Sequence, residues 1–192
     1  LAAGDALALP VEGVARAELD DHPVRSMRGC GSRIWPAGSW SISTTQTMAM
    51  LDSLKGGFDP EDMLLCLSRC MQGRYWAFGE PIGMDPYLCR AVERRAQGLP
   101  AAQCGDDRVP ANGALRRMLP MAFYLYPMAG TSIAKSPHAM EMIRLASAIT
   151  NGHPRTVVAC GLYVGVACAL ISGMDIPEAL QDALTTYRQQ AT

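Results

Sequence analysis

The sequence predicts an all-α fold, an orthogonal bundle of roughly seven or eight helices of ordinary length. The first reason is a recurring helix start. Asp59-Pro60, Asp85-Pro86, Ser136-Pro137 and Asp175-Ile176-Pro177 each place a capping side chain one or two residues ahead of a proline. The capping oxygen takes an orphan backbone N–H, and proline at the first helical position gives up a donor that had no partner. The second reason is composition. Aromatics make up only 6% of the 192 residues while Ala, Leu and Met are plentiful, which favours helix over sheet. Thirteen prolines and eighteen glycines then punctuate the helices. A chain of this length reads as one domain over residues 1–192, with room for a real core.

Seventeen basic against eighteen acidic residues give a net charge of −1, so no nucleic-acid partner and no anionic membrane surface is expected. The seven cysteines follow no disulfide pattern and no secretory leader precedes them, which predicts reduced thiols in a cytoplasmic compartment. The chain opens on Leu1 without an initiator methionine and reads as trimmed at its front, so a targeting segment would lie upstream.

In chain order, LAAGDALALP has small residues at 2, 3, 4 and 6, which suit close helix packing. Glu12 follows Pro10 at the exit of that helix, and on the residues alone it reads equally as a solvated loop carboxylate or a functional one. Residues 13–37 lack sustained periodicity and carry two charged clusters, Glu18 to Asp21 and Arg25 to Arg33. They predict a surface loop, with Trp35 returning to the core. Pro36-Ala37-Gly38 is a turn signal, followed by Trp40 and then Ser41, Ser43, Thr44 and Thr45, each able to cap a helix. Met48, Leu51 and Leu54 recur at helical spacing with Asp52 and Lys55 on the other side. Hydroxyls thus gather at the positive end of a helix. That geometry suits a phosphate, a ribose or a hydrated metal ion, although on the local residues a merely well-capped helix is the commoner reading.

The helix from Asp59 turns Met63, Leu64, Leu67 and Cys70 inward; Cys66 and Cys70 share a face as packed thiols, without the second pair that zinc needs. Asp85 starts a helix through Arg95, and Asp106-Asp107 sits in a loop as solvated carboxylates. In NGALRRMLP, Asn112-Gly113 allows a left-handed backbone and frees N–H groups, and the planar fork of Arg117 could face a pyrophosphate. The same string also reads as an ordinary turn followed by a helix with two exposed arginines. Ser136 starts a helix through Ile149 with Met140, Ile143, Leu145 and Ala146 inward, and His153 reads as a capping or turn histidine. Thr156 to Ser172, seventeen residues without charge, is short for a membrane span and predicts a buried central helix. Asp175 caps a last amphipathic helix ending near Gln190.

Three of these stretches resemble the ADP-ribosylglycohydrolase family, which includes the dinitrogenase reductase-activating glycohydrolases. Gly4, Asp5, Ala6, Leu7, Pro10 and Glu12 fall on that family's G-D-A-L-G-x-P-x-E segment. Gly38, Trp40, Ser41 and Thr44 fall on its G-x-W-T-D-D-T segment, with Ile42 and Ser43 at the two aspartate positions. Asn112, Gly113, Leu115, Arg117 and Pro120 fall on N-G-x-L-M-R-x-x-P, with Arg116 in place of the methionine. Thr150 to Pro154 is similar to the T-H-x-x-P turn, with Asn151 at the histidine. The family's later Asp-x-Asp-Thr segment is absent, so the domain is expected to be smaller than the full family domain and trimmed at both ends.

The resemblance implies a fold built to hydrolyse the glycosidic bond of ADP-ribose with two magnesium ions on the ribose. Without the aspartates, the family magnesium is expected to be lost, leaving no metal and no other cofactor. The implied function is a pseudo-hydrolase that binds an ADP-ribose-like small molecule, an ADP-ribosylated protein or another protein partner. The alternative is a metal-independent enzyme on an ADP-ribosyl or related glycosidic bond, with Glu12 as acid or base. The implied ligand-binding residues are Ser41, Ser43, Thr44, Asn112, Gly113, Arg117 and Asn151.

Overall fold

The computed structural model describes residues 1–29, 35–77 and 79–190, with the side chain of residue 190 outside that description. Among them the chain is all-α, as predicted. The helices are α1 (Ala2–Ala8), α2 (Arg16–Asp21), α3 (Ile42–Leu54), α4 (Pro60–Arg69), α5 (Pro86–Ala96), α6 (Leu119–Ala129), α7 (Pro137–Ala148), α8 (Pro154–Ile171) and α9 (Ile176–Gln190). Cys30 and Arg33, the latter ending the second charged cluster, lie outside the described residues.

The anticipated caps form. Asp59 accepts from the Glu61 N–H at 2.9 Å, Asp85 from Tyr87 at 3.0 Å, and Ser136 from Ala139 at 3.3 Å. Asp175 accepts from Glu178 at 2.9 Å, and His153 Nδ1 accepts from the Arg155 N–H at 3.1 Å, so this histidine is the N-cap of α8. Each is a local interaction within three residues, which makes it readable in advance.

One element differs from expectation, and another runs on past the stretch for which the sequence offers a reading. The loop assigned to residues 13–37 contains α2, a six-residue helix with no buried side chain. The stretch after Arg117 forms α6 although it begins with Pro120 near its first turn and holds Pro127 inside. Packing of Met121, Ala122 and Leu125, each at 0% exposure, outweighs the lost backbone bond.

Helix α8 packs against α6, α7 and α9, and α3 packs against α4, α6 and the 3₁₀ turn Leu115–Arg117. Enclosure on those sides changes the face of α3 that is buried. Leu51, expected inward, is 40% exposed, whereas Ile42, Thr45, Ala49, Met50 and Leu54 are buried. On the free side Asp52 accepts from Lys55 Nζ (2.6 Å), Tyr75 Oη (2.9 Å) and Trp76 Nε1 (2.6 Å). Burial pushes its carboxyl up, but these three donors together hold it below the usual carboxylate range. They strap residues 73–77 over α3, where Arg74 and Trp76 adopt φ of 61° and 52°, unusual for side-chain-bearing residues.

Candidate functional site

The start of α3 is occupied by the protein itself. Asp5 Oδ2, from α1, accepts hydrogen bonds from Ser41 N (3.1 Å), Ser41 Oγ (3.0 Å), Thr44 N (3.2 Å) and Thr44 Oγ1 (2.7 Å). Ser41 Oγ in turn accepts from Ser43 N at 3.1 Å. Two orphan N–H groups and two hydroxyls thus converge on one carboxylate oxygen, which also meets the positive end of the helix dipole. Asp5→Ala is therefore expected to cost about 2 kcal/mol of stability, measured by chemical denaturation. A loss below about 0.5 kcal/mol would mean that Ser41 caps the helix unaided.

Beside this cap lies a cleft of about 510 Å³ lined by Asp5, Glu12, Ser43, Asn112, Leu115 and Arg116, with Leu1 and Tyr163 at its wall. Burial pushes the Tyr163 phenol above its ordinary range. Of the expected site residues, the candidate acid or base Glu12 and the expected ligand groups Ser43 and Asn112 come together here. Ser41 and Thr44 do not line the cleft, because Asp5 holds their hydroxyls.

Gly113, Arg117 and Asn151 lie inside the protein. Arg117 and Asn151 are at 0% exposure, so neither faces a ligand in the cleft. Arg117 Nη2 donates to the Ala146 carbonyl at 3.1 Å. Desolvation pulls the guanidinium down to about 10, with Cys160 and Asp85 acting the other way; it is a cation at neutral pH. Asn151 Oδ1 accepts from Thr150 Oγ1 at 2.8 Å, and its main-chain oxygen accepts from Ser147 Oγ at 2.7 Å. Nearby, Gln46 Nε2 donates to Asp85 Oδ2 at 3.0 Å, and Asp85 is only 3% exposed. A Cβ on Gly113 would sit 3.1 Å from Asn151 Oδ1 and 3.4 Å from Asp85 Oδ2. The Asn112-Gly113 turn thus rests directly on a buried polar layer. Within that layer Gln46 Oε1, Arg117 Nε and Nη1, and Asn151 Nδ2 have no hydrogen-bond partner among the described residues.

The residues that sequence reasoning missed are Asp5, Arg116 and Tyr163. Arg116 carried a signal: on a 3₁₀ turn successive side chains point about 120° apart, so only one of two adjacent arginines can face the cleft. Asp5 and Tyr163 reach the site only through packing.

The donor set at the start of α3 does not fit a pair of magnesium ions. Ile42 is buried and offers no oxygen, Ser43 offers a neutral hydroxyl, and the Asp5 oxygen already accepts four hydrogen bonds. A second groove, of about 550 Å³, lies between α4 and α5 and holds none of these motifs. Its acids are already engaged: Asp59 caps α4, Glu61 pairs with Arg95 at 2.7 Å, and Asp62 accepts from Ser53 Oγ.

Comparison with known proteins gives one family. The family model described as ADP-ribosylglycohydrolase matches residues 1–192. A solved chain described as an "ADP-ribosylglycohydrolase-related protein complex" is similar with a TM-score of 0.71 and 27% identity. The match covers 96% of this chain and 57% of that one, so this chain spans just over half the length of its structural relative. No curated protein matches the sequence.

Proposed function

Since this chain belongs to the ADP-ribosylglycohydrolase family, we propose that its cleft holds an ADP-ribose-like ligand without magnesium, as the binding site of a pseudo-hydrolase. The observation that carries this is the convergence of Glu12, Ser43 and Asn112, from three separate segments, on one cleft. Glu12 and the Asn112 amide are suited to a sugar diol, while Leu115 and Tyr163 offer apolar surface to a ring. An ADP-ribosyl group on another protein would present the same chemistry. The thiols fit a reducing, cytoplasmic setting: burial pushes Cys70 up to about 12 and Cys168 to about 11, keeping both protonated and inert.

Affinity for ADP-ribose is expected in the high micromolar range, roughly −5 kcal/mol, and unchanged by replacing magnesium with a chelator. Calorimetry on the folded protein checks both points. Absence of heat at millimolar ligand would sink the proposal. Tight stoichiometric magnesium binding that disappears in Ser43→Ala would overturn its metal-free part.

A second reading, a metal-independent hydrolase, is favoured by the exposure of Glu12 in the cleft. Glu12 would serve as acid or base. The other carboxylate in the cleft, Asp5, is committed to α3, so the usual glycosidase pair is incomplete. Release of ADP-ribose from a modified protein, abolished in Glu12→Gln, would select this reading.

A further inference from the structure

Two adjacent arginines occupy the 3₁₀ turn Leu115–Arg117 and have opposite fates. The turn is closed by Leu115 N–H to Asn112 O (3.1 Å), Arg117 N–H to Ala114 O (3.2 Å) and Met118 N–H to Leu115 O (3.2 Å). Thr47 Oγ1, on α3, lies 2.9 Å from both the Ser43 and the Arg116 carbonyls, so its single proton is shared between its own helix and the turn. Leu115 packs partly against the core and Arg117 is wholly buried. With three residues per turn, the remaining direction is outward, and Arg116 takes it: half-buried, on the wall of the cleft.

Its surroundings leave that charge available. Among the described residues the Arg116 side chain makes no hydrogen bond and no ion pair. The nearby Arg117 guanidinium is a like charge. Of the acids in the same cleft, Asp5 has Oδ2 held by the start of α3 and Glu12 is exposed on the segment leaving α1. The cleft therefore joins one free guanidinium on a rigid turn to a carboxylate, an amide and a hydroxyl at Glu12, Asn112 and Ser43. A guanidinium recognises phosphate oxygens with a planar fork, and carboxylate and amide groups recognise vicinal hydroxyls.

We propose that Arg116 selects the ligand of this cleft by charge, so that the site takes a sugar phosphate or sugar diphosphate held by the guanidinium rather than through a metal ion. The proposal rests on the cleft being the ligand site and adds the residue that recognises the phosphates there. It makes Arg116 a specificity-determining residue of a site whose positive charge comes from the protein.

The test is a calorimetric titration of wild type, R116M and R116K with inorganic pyrophosphate, ADP-ribose and adenosine, all in chelator. Pyrophosphate is expected to bind wild type with an affinity that falls steeply with salt. R116M should lose about tenfold and R116K a few-fold, because lysine keeps the charge and loses the fork. Adenosine should bind wild type and R116M alike. A melting temperature for R116M equal to wild type, as expected for a half-buried side chain, shows that the fold is intact. Equal pyrophosphate affinity in wild type and R116M overturns the proposal, and so does a wild type that binds no pyrophosphate at millimolar concentration. Loss of pyrophosphate binding in R116M, with ADP-ribose unbound by wild type, keeps the anion site and sinks the reading of the cleft as an ADP-ribose site.

Discussion

Arg117→Ala is expected to destabilise the protein by about 3–5 kcal/mol, which in a chain of this size lowers the melting temperature by on the order of 10 °C. The side chain is at 0% exposure, so truncation opens a large cavity. It also leaves the Ala146 carbonyl without its 3.1 Å donor and removes the positive charge facing buried Asp85. Arg117→Met separates these effects. It keeps most of the volume, and Asp85 retains the Gln46 side chain and the Tyr87 and Leu88 N–H groups as donors. The cost for Met should therefore be clearly smaller, since apolar replacements of buried ions are often tolerated. Urea denaturation of both variants reads the difference. An alanine variant within about 1 kcal/mol of wild type would show that the guanidinium holds nothing together.

Gly105→Ala should cost about 3 kcal/mol or more, at the upper end of overpacking effects. A Cβ there would collide with the Ala148 carbonyl oxygen and lie 2.7 Å from Thr150 C and 2.8 Å from Asn151 N. All three are backbone atoms in an over-determined turn: Gly105 N–H bonds Ala148 O, Asp106 N–H bonds Thr150 O, and Gly152 N–H bonds Asp106 O. Nothing there can swing aside. Gly161→Ala is the control, because its Cβ would meet the Tyr187 hydroxyl and ring carbon Cζ and the Met140 methyl, which belong to side chains and not to the backbone. It should cost about 1 kcal/mol. Because Asn151 lies under Gly113, Gly105→Ala should also weaken ADP-ribose binding, which Gly161→Ala should not. Equal midpoints for the two variants in denaturant would refute the backbone argument.

The helix starts were legible because capping is settled within three residues. Asp59, Asp85, Ser136 and Asp175 cap as the sequence implied, and His153 caps α8 in the role read for it. Helix α6 was not legible. Its prolines and lack of a polar face give no amphipathic signal, and only burial against α8, α3 and α7 makes it helical.

The family frame, too, was present in the residues, and it brought Glu12, Ser43 and Asn112 to one cleft. Which polar groups stay free was decided elsewhere. Ser41 and Thr44 looked like ligand groups at a helix N-terminus until a carboxylate 36 residues upstream of Ser41 took that position. Arg116 and Arg117 are chemically identical neighbours, and sequence chose the second. Tertiary packing buried Arg117 against Ala146 and turned Arg116 to the cleft. Local chemistry determines where a helix begins, because its partners are close along the chain. Only the folded arrangement determines which side chain faces water, because that depends on helices brought together from distant parts of the sequence.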